Sequence, residues 1–223
     1  MMKLVMMKLA MTKMGTSGES GMMPRAMGKM AILALPLALP LALSGCISLG
    51  SEPPESLLTL TAESTAPAGS ATSATRASAI AINEPGVTAE LDVLRVPVQV
   101  DDTEIAYLQD AVWVEKPARL FRRVLAETVR AQSGAFVIDG DDPALFADQR
   151  LRGTLRNFGY DARRSAVVVR FDAIREGENR SVEMRRFEAV EPGIAPEVGA
   201  VGPALNRAAN DVARQVAEWM GGA

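Results

Sequence analysis

The chain has 223 residues, 48% of them hydrophobic and 4% aromatic, with 24 basic against 27 acidic side chains and a net charge of −3. It holds one cysteine and no histidine, which excludes a disulfide framework, paired-thiolate or histidine-ligated metal sites, and Ser-His-Asp or Cys-His catalysis. With residues 1–45 set aside, 19 basic and 26 acidic residues remain, and Lys116 is the only lysine. A surface that acidic has no electrostatic reason to bind nucleic acid or anionic lipid headgroups non-specifically.

The first apolar run, residues 31–43, is thirteen residues long and carries Pro36 and Pro40 inside it. A membrane-spanning helix needs about 20 apolar residues, so this run suits the apolar region of a signal peptide. Arg25 and Lys29 supply the positive charge in front of it. Lys3, Lys8 and Lys13 lie further upstream, and the expected true start is downstream of Met1, at one of Met22, Met23, Met27 or Met30.

Leu43-Ser44-Gly45-Cys46 closes the run: an apolar residue, two small ones, then the lone cysteine. Small residues let a peptidase thread the backbone through a narrow site, and the thiol can take a thioether-linked diacylglycerol. The stretch resembles the lipobox of bacterial lipoproteins. The resemblance implies recognition through Leu43, Ser44 and Gly45, cleavage before Cys46, and fatty acylation there. Ile47 stands where an aspartate would signal inner-membrane retention, so the expected location is the periplasmic face of the outer membrane. The expected division is a cleaved signal peptide over 1–45, lipidated Cys46 with a flexible linker and a short strand over 46–78, and a folded domain over 79–223.

Within the linker, 56–61 alternates as a short strand that should pair with the domain, whereas 62–79 is too poor in apolar residues to offset its ordering entropy. Ile80 and Ile82 alternate, and Asn83-Glu84-Pro85-Gly86 signals a turn. A strand follows over 91–100, with Pro97 forcing a strand end or a bulge. The segment 105–117 reads as a connection between strand and helix. Its Tyr107, Leu108 and Trp113 either cap the core or serve as half-buried interface anchors.

Pro117 suits a first helical turn, and Leu120, Phe121, Val124, Leu125, Thr128 and Val129 recur at helical spacing up to Gly134. Arg119, Arg122, Arg123 and Arg130 read as a solvated face, with Arg123 and Glu127 as an i,i+4 pair. A short strand over 135–138 leads to an acidic turn, 139–143, which lacks the spacing of a calcium loop. Runs over 149–161, 165–175 and 180–190 predict an antiparallel meander, the third polar on both faces as an edge strand is. A last helix is expected over 203–220, with Leu205, Ala209, Val212, Val216 and Trp219 facing inward.

The lipobox, a Leu-Thr-Leu strand, a Leu-Arg-Val-Pro strand and the 106–120 run entering a helix together resemble the ABC-type transport auxiliary lipoproteins. The likeness spans about 46–220. It implies an α/β fold: a small sandwich with a mixed, largely antiparallel sheet and two main helices, similar to the TolB amino-terminal domain. It also implies a periplasmic protein with a mammalian-cell-entry (MCE) domain as partner, an ABC permease and ATPase reached through that protein, and lipid as the cargo. A homo-oligomer stays open. Tyr107, Leu108 and Trp113 are the candidate partner-binding residues; no cofactor, metal or catalytic residue is expected.

Three other readings compete. A structural lipoprotein of an outer-membrane assembly machine, for β-barrels or lipopolysaccharide, would share the anchor and the small domain. Direct lipid carriage needs a closed apolar cavity, for which few apolar stretches remain once a core is filled. An enzyme would have to work with carboxylate pairs such as Asp101 and Asp102, or Asp141 and Asp142, which lie in turns with no histidine, cysteine or lysine beside them.

Overall fold

The computed structural model describes residues 56–140, 147–177 and 181–221. The lipobox therefore lies outside the described residues, as do most of the acidic turn at 139–143 and the tip of the turn before 181. Eight strands form one mixed sheet: β1 (Ile80–Ile82), β2 (Gly86–Val87), β3 (Arg95–Gln99), β4 (Ile105–Val112), β5 (Val137–Asp139), β6 (Gln149–Asp161), β7 (Ala166–Glu176) and β8 (Val182–Pro192). Helix α1 (Pro117–Ser133) separates β4 from β5, and α2 (Val198–Gly221) ends the domain.

The central strand is β6. Along one side it pairs in parallel with β1, then β2, then β3, while along the other it runs antiparallel to β7 over its whole length. The expected meander of β6, β7 and β8 is present, and β8 is an edge strand. Its two long ladders make the sheet largely antiparallel, as expected. Alternation explains the layering: Val167, Val169, Phe171 and Ala173 of β7 are buried on the helix side, while Arg170 and Asp172 point to the other face.

The two helices pack on each other, and α2 also packs on β7 and β8. Helix α1 starts at Pro117 and stops at Gly134, whose φ of 63° is left-handed and costs glycine nothing. Its apolar stripe meets the sheet through rings: Phe121 lies 5.3 Å from Phe171, edge to face, and 6.3 Å from Phe158. The expected Arg123–Glu127 pair does not form. Arg123 instead pairs with Glu115, and Glu127 pairs with Arg130 while accepting the Ala66 N–H.

Helix α2 begins at Val198, five residues before the expected start, so Pro203 sits inside it. Two turns of alanine, Ala204, Ala208 and Ala209 among them, are fully buried and let the helix lie close on the sheet. Trp219, expected in the core, is half-buried against Phe187 with the Arg175 guanidinium 4.8 Å over its ring. Among the described residues no helix is long and apolar enough to cross a membrane.

Candidate functional site

Residues 105–112 are a strand, not a connection, because the turn at 101–104 folds them back antiparallel on β3. The pairing carries a wide bulge. Tyr107 stands opposite Pro97 and Val112 opposite Arg95, so β4 spends four residues, 108–111, where β3 spends one. Leu108 and Ala111 turn into the core, and Gln109 and Asp110 stand exposed at the tip. Asp110 has a φ of 56°, a left-handed conformation that an aspartate tolerates better than most residues.

This geometry corrects two of the three candidate anchors. Trp113 is 1% exposed, its ring 5.5 Å from Phe158, and its Nε1 is buried without a hydrogen-bond partner. Leu108 is 8% exposed. Both fill the core: the bulge turns Leu108 inward, and Trp113, just past the end of β4, packs on Phe158 of β6. Tyr107 alone keeps surface, half-buried with the Arg95 guanidinium 4.9 Å over its ring.

The segment 57–66, placed in the linker by its composition, is fastened to the domain. Leu58 bridges Trp113 in parallel: its N–H donates to Val112 O at 2.7 Å, and its carbonyl accepts from Val114 N–H at 2.9 Å. The chain then runs along α2. Thr61 N–H donates to Asn206 Oδ1 and Glu63 N–H to Asn210 Oδ1, both at 2.8 Å. Asn210 Nδ2 donates in turn to Thr61 O at 2.9 Å and to Asn206 O at 2.8 Å.

Asn210 is 6% exposed and all three of its hydrogen-bonding positions used here are satisfied, which makes its burial affordable. A Cβ added at Gly202 would come within 2.8 Å of Leu58 Cδ2, so a bare backbone there leaves the notch that Leu58 fills. The expected pairing of 56–61 with the domain is present at Leu58, whereas its continuation along α2 over 62–66 was not foreseen. The signal for it was two asparagines four residues apart on one helix, Asn206 and Asn210, the second flanked by buried Ala208, Ala209, Val212 and Ala213.

The helix-free face of the sheet carries a lattice of charges. Arg186 grips Asp172 through two nitrogens, at 2.5 and 2.8 Å, and Arg156 adds a third bond at 2.9 Å. These hydrogen bonds, led by that of Arg186, lower the Asp172 carboxyl from its ordinary 3.8 to about 2, against a smaller opposing effect of burial. Asp172 therefore stays an acceptor and never a proton donor near neutral pH. An open groove of ≈ 350 Å³ lies beside it, floored by Pro97, Gly159 and Val168. Arg156, Arg163 and Arg170 line it, each already neutralised by Asp172, by Asp102 and Asp161, or by Glu188.

Cys46, with Leu43, Ser44 and Gly45, lies outside the described residues, twelve positions before Leu58. The family model for the ABC-type transport auxiliary lipoprotein component matches residues 58–217. The match starts at the residue that bridges Trp113 and so takes in the strap as well as the domain. No curated protein matches the sequence. Among solved structures, protein XCC0632 from Xanthomonas campestris, of the DUF330 family, is 19% identical with a TM-score of 0.56, over 74% of this chain and 93% of its own. An uncharacterized protein of known crystal structure is 15% identical with a TM-score of 0.57, over 64% of this chain and 91% of its own. At these identities the likeness is one of fold.

Proposed function

Because this chain belongs to the ABC-type transport auxiliary lipoprotein family, we propose that it is the lipid-anchored accessory subunit of an ABC transport system at the outer membrane. In this reading Cys46 carries the lipid, and the domain docks a periplasmic MCE-domain protein whose inner-membrane permease and ATPase drive lipid between the membranes. Its contribution is position, with no chemical step. The likeness to the TolB amino-terminal domain belongs to the same reading.

The observation that carries the proposal is the family match over 58–217, with the lipobox-like Leu43–Cys46 stretch a short distance upstream. Two or more acyl chains hold a protein on a membrane stably, where one holds it marginally. A short tether then keeps the domain at high effective concentration for its partner. The docking surface moves from Leu108 and Trp113, which are buried, to Tyr107 and the exposed bulge tip at Gln109 and Asp110.

Affinity capture of the lipidated full chain from membranes tests this. Recovery of an MCE-domain protein with an ABC permease is expected, and Tyr107→Ala should weaken that recovery. Recovery of β-barrel or lipopolysaccharide assembly proteins instead would keep the anchor and discard the transport role.

A further inference from the structure

The point where the tether joins the domain has a surface of its own. Leu58 O accepts from Val114 N–H at 2.9 Å and Leu94 O accepts from Trp113 N–H at 2.7 Å, so three backbone segments lie side by side there. From them Leu57, Leu94 and Val114 stand in solvent, 51%, 43% and 52% exposed. These are three of the six large apolar side chains exposed among the described residues, brought to one corner from three separate stretches of chain. Arg95, next to Leu94, turns away from them and lays its guanidinium 4.9 Å over the Tyr107 ring.

We infer that this corner rests on the phospholipid surface to which the protein is anchored, with Leu57, Leu94 and Val114 entering the headgroup boundary. The inference rests on the reading that Cys46 is lipidated. Ten residues separate Cys46 from Leu57, which is eleven steps of chain. Fully extended they reach at most about 40 Å. The corner is thus the part of the domain held nearest the bilayer. At the millimolar effective concentration of so short a tether, weak apolar contacts are enough to keep a surface occupied. A surface so arranged sets the orientation of the domain: with Val114, just past the end of β4, at the lipid, the start of β4 at Ile105 is held away from it.

The experiment uses the full lipidated chain in vesicles of phosphatidylethanolamine and phosphatidylglycerol. Cys46 is the only cysteine and is taken by the lipid, so one introduced cysteine can be labelled with an environment-sensitive fluorophore. Acyl chains carrying bromine are expected to quench a label at Val114→Cys several-fold more than one at Met184→Cys on the opposite sheet edge. Adding Leu57→Asp to the Val114→Cys protein should cut that quenching at least twofold. Protein that floats with the vesicles yet shows no quenching at Val114, or equal quenching at both positions, overturns the inference and leaves the anchor intact. A Val114 label that ignores lipid but responds to an added MCE-domain protein, or to a second copy of this chain, also overturns it. Failure to float, matching that of Cys46→Ser, overturns the anchor reading and the inference with it.

Discussion

The sheet has two long-sided edges, and they are protected in different ways. At β8 the edge is eleven residues long and regular, and its defence is charge: Arg185, Arg186, Glu183 and Glu188 interrupt Val182, Met184 and Val190 along the strand. At β4 the edge is broken by a four-residue bulge, and its end is covered by Leu58 and the strap behind it. One edge is closed to further strands by composition, the other by shape. A charged edge asks little of the rest of the molecule. A covered edge depends on residues far away, since the strap is held by amides on α2 nearly 150 positions later.

The comparison predicts where substitutions will be felt. At the β4 end the largest loss comes from Trp113→Ala, about 3–5 kcal/mol by chemical denaturation, because the ring fills the core against Phe158. A stability change under 1 kcal/mol would favour the interface role over the core role for Trp113. On the outer face Asp172→Asn is expected to cost up to ~2 kcal/mol at neutral pH, less where water screens the two half-exposed arginines.

That contribution has a definite pH window. The folded carboxyl titrates near 2 against an ordinary 3.8, so its stabilisation is complete above about pH 4 and is lost as the pH falls through 2. Urea midpoints measured from pH 5 to pH 2 should fall in the native protein and fall less in Asp172→Asn.

Asn210→Ala sharpens the contrast between covered and charged edges. It removes the partners of Glu63 N–H and Thr61 O, and should cost about 1–2 kcal/mol globally. Hydrogen exchange should speed at Glu63 by tenfold or more while amides of β6 and β7 keep their rates; uniform speeding would mean that the strap and the sheet unfold as one unit. The smallest effect belongs to the charged edge. Met184→Lys, at a side chain 74% exposed, should stay within about 0.5 kcal/mol and leave the protein monodisperse or more so by light scattering.

Much of the architecture was legible because it rests on local periodicity. Val167, Val169, Phe171 and Ala173 declare a strand and its buried face by alternation, and Leu120 to Val129 declare a helix by its spacing. Pro117 and Gly134 mark that helix's ends for backbone reasons that hold in any protein. The start of α2 was misplaced because Pro203 looked like a first-turn proline. A preceding turn, with Val201 N–H bonded to Glu197 O, carries the helix up to it.

By itself the sequence determined the lipobox-like stretch, the absence of histidine chemistry, the meander and the two helices, since each follows from residue types within a dozen positions of one another. Only the tertiary structure decided that Trp113 and Leu108 are core, that the strand at Leu58 continues as a strap along α2, and that Leu57, Leu94 and Val114 share a corner. Those facts depend on which backbone groups meet across 20 to 150 residues of chain, on a bulge that reverses which side chains face inward, and on two asparagine amides whose partners no local pattern names.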